Sequence, residues 1–116
     1  CNAIGDPDAG DGQGNCNYTR TMSASTLADW LATDPTHSDD EDIIILGDLN
    51  SYAQEDPIDM LRSKGFISLN NDSSYSYVFD GQYGSLDHAM VNQSMMNQGT
   101  ESHRKVLQFN SLIMVV

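Results

Sequence analysis

The stretch IIILGDLNSYAQEDP, residues 43–57, constrains the fold more than any other part of the chain. Ile43 to Leu46 is a continuous β-branched and aliphatic run, too short for a helix and apolar on both faces, as a central strand in a covered sheet must be. Asp56-Pro57 then opens a helix, with Asp56 as N-cap and Pro57 at N1, that runs to Lys64 and stops at Gly65. Strand, polar loop and helix in succession are the grammar of an α/β fold.

The flanks extend this pattern. From about Thr19 to Ala32, the residues Ala24, Leu27, Ala28 and Leu31 recur at three- and four-residue spacing and describe one stripe of an amphipathic helix, which Asp34-Pro35 ends. Residues 34–42, DPTHSDDED, read as a solvated acidic linker with His37 exposed. After the second helix, Phe66 to Leu69 makes a short strand and NNDSS a polar turn. YSYVF and SLDHAMV then form two strands joined as a hairpin by the five-residue connection DGQYG. Beyond Asn92 no clear period remains.

Residues 1–17 are dense in turn formers and read as an ordered surface loop. The Asp6, Asp8, Asp11 spacing misses the calcium-loop pattern. Its third acid is one position late, and Asn17 stands where the closing glutamate belongs. Cys1 and Cys16 bracket this loop. A disulfide between them would contribute ~3 kcal/mol and imply an oxidising compartment; it is preferred here to two independent thiols.

With 17 acidic and 5 basic residues among 116, the chain carries a formal charge of −12. Such a surface repels nucleic acid and anionic membranes unless cations or a further basic segment intervene, and it keeps the protein soluble. No apolar run reaches the length of a membrane span. Because the chain opens on Cys1 rather than Met, an upstream portion is expected.

Two places carry side chains suited to chemistry. In an extended strand Asp48 and Asn50 would project together from the carboxyl end of the central strand, where open α/β sheets place ligands. A carboxylate there can orient a water or hold a divalent cation, while the carboxamide donates to a phosphoryl oxygen. The plainer alternative is an Asx-type turn leaving the strand. Gly47 lets backbone and substrate approach closely. In GSLDHAMVN, Asp87 needs a partner if buried, and His88, its neighbour in a strand, faces the other way and is read as structural.

Taken together, IIILGDLNSYAQEDPIDMLRSKGF, YSYVFDGQYGSLDHAM and the loop GDGQGNCNYTR resemble the endonuclease/exonuclease/phosphatase superfamily, with its deoxyribonuclease I-like fold, and within it the large extracellular nucleases of bacteria. The resemblance covers residues 1–92, the C-terminal portion of such a domain; residues 93–116 are a divergent tail. It implies part of a four-layer α/β sandwich, incomplete at both ends, from a secreted, metal-dependent nuclease acting on DNA in preference to RNA. Asp48 would position the attacking water near the metal, and Asn50 would contact the scissile phosphate. Asp87 would orient the family's last catalytic histidine. The metal, held by Asp48 and Asn50, would be magnesium or manganese, with calcium in some members. The family's early glutamate and first catalytic histidine belong upstream, and its final Ser-Asp-His strand has no counterpart in 93–116, where His103 is followed by Arg104. The chain is therefore expected to be inactive without the missing half of the domain. Alternatives are a phosphatase or sphingomyelinase-like hydrolase of the same fold, and a noncatalytic secreted domain that binds calcium.

Overall fold

The computed structural model describes residues 1–70, 77–79, 82–100 and 112–114. A 3-10 turn at Asn2–Ile4 precedes, in chain order, α1 (Asn17–Leu31), β1 (Ile44–Asp48), α2 (Asp56–Ser63), β2 (Ile67–Ser68) and β3 (Tyr77–Phe79). Then come β4 (Gln82–Gly84), β5 (Asp87–Val91), α3 (Gln93–Thr100) and β6 (Leu112–Met114). This is a mixed α/β arrangement. One sheet has the order β2-β5-β1-β6, in which β5 runs antiparallel to both β2 and β1 while β6 runs parallel to β1. A separate ribbon pairs β3 with β4.

The apolar run predicts an interior strand, and β1 occupies that place, between β5 and β6. Strand alternation sorts its side chains. Ile45 pairs with Met90 across to β5, and both are fully buried in a cluster with Ala24, Ala28 and Leu31 of α1, Ile58 and Leu61 of α2, and Phe66. Ile44 pairs with Val91, and these two pack with Met95 of α3 in a second cluster. The sheet thus buries a different set of β1 side chains in each cluster, which explains why the run is apolar throughout. The α1 stripe faces the core as its spacing requires, through Ala24, Ala28 and Leu31.

α2 closes as Gly65 demands. The Gly65 N–H donates to the Arg62 carbonyl (3.0 Å) and the Phe66 N–H to the Leu61 carbonyl (3.1 Å), the paired bonds of a Schellman cap. Gly65 holds φ of 95°, a conformation an L side chain resists. Gly65→Ala is expected to cost about 1 kcal/mol, read as a lower urea midpoint at unchanged m-value; an unchanged midpoint would show that the cap tolerates a Cβ.

Four local readings change. α2 starts one residue earlier, with Glu55 at the N-cap and Asp56-Pro57 as its first two residues, because Glu55 still has an extended backbone. YSYVF does not form a hairpin with SLDHAMV. β3 instead turns back onto β4, inside the expected connection, with Phe79 paired to Gln82, while β5 pairs with β1 and β2. The acidic segment is a wound loop rather than a solvated linker. Asp34 accepts hydrogen bonds from the Ser38 and Asp39 amides (3.1 and 3.2 Å), and Asp42 is buried, accepting a hydrogen bond from the Gln98 carboxamide. Residues 93–100, where the sequence shows no clear period, form α3, which Asn92 caps: its Oδ1 accepts from the Met95 amide and the Ile43 amide, both at 3.1 Å. The turn at 71–74, Asp80-Gly81 and His103 lie outside the described residues.

Candidate functional site

β1 and β5 end together. Their register sets Asp48 opposite Asp87 and Gly47 opposite His88. Residues opposite each other in an antiparallel pair share a face, so Asp48 and Asp87 stand on one face of the sheet and His88 on the other. Both aspartates are exposed. Like charges directly opposite each other destabilise a sheet unless a cation or donor relieves them, and here they sit at the open end of an otherwise apolar pair of strands. The Asp87 backbone carbonyl accepts hydrogen bonds from Asn70 Nδ2 and Ser85 Oγ, each at 2.7 Å, which fixes that end of β5.

Asn50 reaches the tip by a different route from the one its spacing suggests. β1 ends at Asp48, and Asn50 has φ of 47°, so the two are not alternate residues of one extended strand. An Asx turn joins them: Asp48 Oδ1 accepts a hydrogen bond from the Asn50 N–H at 2.8 Å. Asn50 itself is exposed. The side-chain positions therefore follow from a turn, and the left-handed backbone suits asparagine better than most residues.

Arg20 of α1, which composition and spacing do not single out, ties this turn to the rest of the molecule. Its Nη1 donates to the Asn50 carbonyl (2.8 Å), Ser51 Oγ (2.7 Å) and Glu55 Oε2 (2.5 Å), and its Nε donates to the Asn15 carbonyl (3.0 Å). Nη2 donates to the Gln13 carbonyl. The side chains of Arg20 and Glu55 are only 17% and 11% exposed, so this is a largely buried ion pair with further acceptors around the cation. The one available signal in sequence is scarcity: Arg20 is one of five basic residues.

His88 supports the same turn from below. Its ring is 4% exposed, and Nε2 lies 2.7 Å from the Ser51 carbonyl. A carbonyl only accepts, so Nε2 carries the proton. Nδ1 is buried without a partner among the described residues. Gly47 stands opposite His88 with φ of 145°, a backbone conformation that L side chains rarely adopt.

The loop over residues 1–16 is closed by a Cys1–Cys16 disulfide with Cα atoms 5.2 Å apart. Its acids serve the loop itself: Asp8 Oδ1 accepts from the Gly10 amide (2.8 Å) and Asp11 Oδ1 from the Gln13 amide (3.0 Å). Cys16 occupies the N-cap of α1 without a side-chain cap bond, and Asp6 caps the helix from ten residues upstream. Asp6 Oδ2 accepts from the Thr19 amide (2.8 Å) and Oδ1 from the Tyr18 amide (3.3 Å). The Thr19 bond, above all, holds the Asp6 carboxyl below its ordinary range. A depressed folded value means the cap stabilises above the unfolded pKa and is lost as pH falls through the folded one. The protection factors of the Tyr18 and Thr19 amides, taken relative to intrinsic exchange at each pH, are expected to fall on acidification in the native chain, and to be low and nearly independent of pH in Asp6→Ala. Equal protection in both proteins would contradict the cap.

For a divalent ion, the tip offers the Asp48 carboxylate and the carboxamide oxygen of Asn50. Magnesium takes one or two carboxylates, keeps several waters and adds substrate phosphate oxygens, a demand these donors match in type and number. They do not match a resident calcium, which takes six to eight oxygens. Among the described residues no group of three His, Cys, Asp or Glu side chains converges on one point. Asp48, Leu49 and Asn50 also wall a pocket of about 340 Å³, closed by Arg20 and Ser23 of α1 and by Ile58 of α2. A larger cavity, about 650 Å³, lies at the other end of β1 against the acidic loop and includes none of the three tip residues. Among the described residues, no helix is long and apolar enough to cross a membrane. No protein-family model, no curated protein and no solved structure matches the chain.

Proposed function

We propose that the Asp48, Asn50 and Asp87 tip is the phosphate- and metal-facing half of a phosphodiesterase site, and that the chain is part of a secreted nuclease of the deoxyribonuclease I-like, four-layer kind. The observation that carries this reading is the placement of Asp48 directly opposite Asp87 at the end of a buried strand pair, with Asn50 fixed beside them by a turn. The Cys1–Cys16 bridge supports an oxidising, extracellular setting. DNA is the preferred substrate, and RNA the second choice.

In this reading Asp48 orients the attacking water, and Asn50 donates from Nδ2 to a non-bridging phosphate oxygen. Magnesium or manganese, when bound, supplies the positive charge that offsets the developing charge on the phosphoryl oxygens. Asp87 holds a histidine brought by the rest of the domain. His88 is not that histidine, because its ring is buried on the opposite face and bonded to Ser51. The charge of −12 makes the divalent ion a condition of binding as well as of chemistry, since a polyanion otherwise meets net repulsion.

Calorimetric titration with a deoxydinucleotide phosphodiester tests this. Binding is expected only with magnesium present, and Asp48→Ala should weaken it about tenfold or more, the loss of one charge-assisted contact. The chain alone should not nick plasmid DNA; nicking that disappears in Asp48→Ala would show that the site is already complete. A second reading has its own observation. The Asx turn gives Asp48 a structural use, and a noncatalytic domain predicts no magnesium-dependent binding at all. A phosphatase or sphingomyelinase of the same fold would favour a phosphomonoester or sphingomyelin over the dinucleotide.

A further inference from the structure

We infer that Arg20 is the positioning residue of this site, holding the Asn50 turn in the conformation that presents its carboxamide to a phosphate. The inference rests on the phosphodiester reading of Asp48 and Asn50. Three features of the geometry carry it.

Asn50 has a left-handed backbone, which asparagine adopts more readily than most residues but which its neighbours must hold if one orientation of the carboxamide is to prevail. Arg20 supplies much of that hold. One guanidinium nitrogen contacts both the Asn50 carbonyl and the Ser51 hydroxyl, while His88 Nε2 donates to the Ser51 carbonyl. Ser51 is fully buried.

The guanidinium is itself held at a fixed angle. Glu55 pairs with Nη1 from the start of α2, and the carbonyls of Gln13 and Asn15 take Nη2 and Nε from the disulfide-closed loop. All three nitrogens of the fork are engaged, in the plane that only arginine offers; a lysine ammonium is a single point and cannot reach carbonyls on two loops at once. The disulfide-closed loop, α1 and the turn that leads from β1 into α2 thus meet at one cation.

Nothing in this arrangement leaves Arg20 a charge to spend on substrate. Its positive charge is matched by Glu55, and its donors point at protein acceptors. It therefore acts through Asn50. A residue of purely structural value would lower the melting temperature without changing how folded protein binds.

The test compares the whole chain with Arg20→Lys and Arg20→Ala, using magnesium and a deoxydinucleotide as probe, well below each protein's unfolding transition. Two quantities are read: affinity, and the shift of the Asn50 side-chain amide resonances on binding. Arg20→Lys keeps a cation beside Glu55 and remains the deciding variant if Arg20→Ala fails to fold. We expect it to bind about fivefold more weakly, as for one misoriented hydrogen bond, and to lose most of the Asn50 carboxamide shift. Unchanged affinity and an unchanged shift in Arg20→Lys, with the native chain binding, would overturn the role of Arg20 and leave the phosphodiester reading intact. Failure of the native chain to bind would instead remove that reading and this inference with it.

Discussion

Glu55→Ala is expected to destabilise the chain by about 3 kcal/mol, lowering its melting temperature by roughly 10 °C. Removing one partner of a buried ion pair leaves the other charge uncompensated, and Arg20 has no route to water without abandoning its remaining bonds. The effect falls at the low end of the range for such changes because the carbonyls of Gln13, Asn15 and Asn50 and the Ser51 hydroxyl still surround the cation. Glu55→Gln keeps an acceptor in the same place and should cost about half as much. Equal and small losses in both variants, measured by thermal and urea unfolding, would mean that the pair is solvated in solution and does not anchor the turn.

Cys1→Ser together with Cys16→Ser should cost a similar amount, about 3 kcal/mol for a loop of this length. The sequence separation is 15 residues, and the loop contributes no residue to either buried cluster. Its order rests on the bridge, on the Asx turns of Asp8 and Asp11, and on Arg20. Opening the bridge frees the carbonyls of Gln13 and Asn15 from the guanidinium and removes the constraint that carries Asp6 to the start of α1. The double variant should therefore also show faster amide exchange at Tyr18, Thr19 and Ser51. Loss of stability with no change at Ser51 would show that the loop and the Asn50 turn are independent.

The parts of this molecule that were legible in sequence are those whose signal is local. The stripe of Ala24, Ala28 and Leu31 fixes a helix face by spacing, and Gly65 marks a helix end because its backbone must turn left-handed. The run ending at Leu46 is apolar on both faces because both are covered. What was not legible depends on partners far along the chain. β5 joins β1, some forty residues earlier, although a nearer strand offered an apparently adequate hairpin; tertiary pairing overrides proximity when it buries Met90 and Val91 against two clusters. α3 is composed mostly of polar residues and announces itself only through the Asn92 cap.

The site divides along the same line. Asp48, Asn50 and Asp87 stand out as polar residues at the end of apolar strands, and the structure brings Asp48 opposite Asp87. Asn50 joins Asp48 through the Asx turn that is the plainer reading of the pair, with a left-handed backbone that strand alternation does not foresee. Arg20, Ser51 and Glu55 were missed for a physical reason: each looks like an ordinary surface residue until three segments converge to bury it.

In the proposed function, phosphodiester and magnesium meet at the end of β1. The most direct measurement is a map of backbone amide shifts across the chain during titration with a deoxydinucleotide in the presence of magnesium. Saturable shifts are expected at residues 47–51 and at Asp87, absent without the metal and absent in Asp48→Ala. Shifts confined to the acidic loop around residues 34–42, or none at all, would contradict the proposed function.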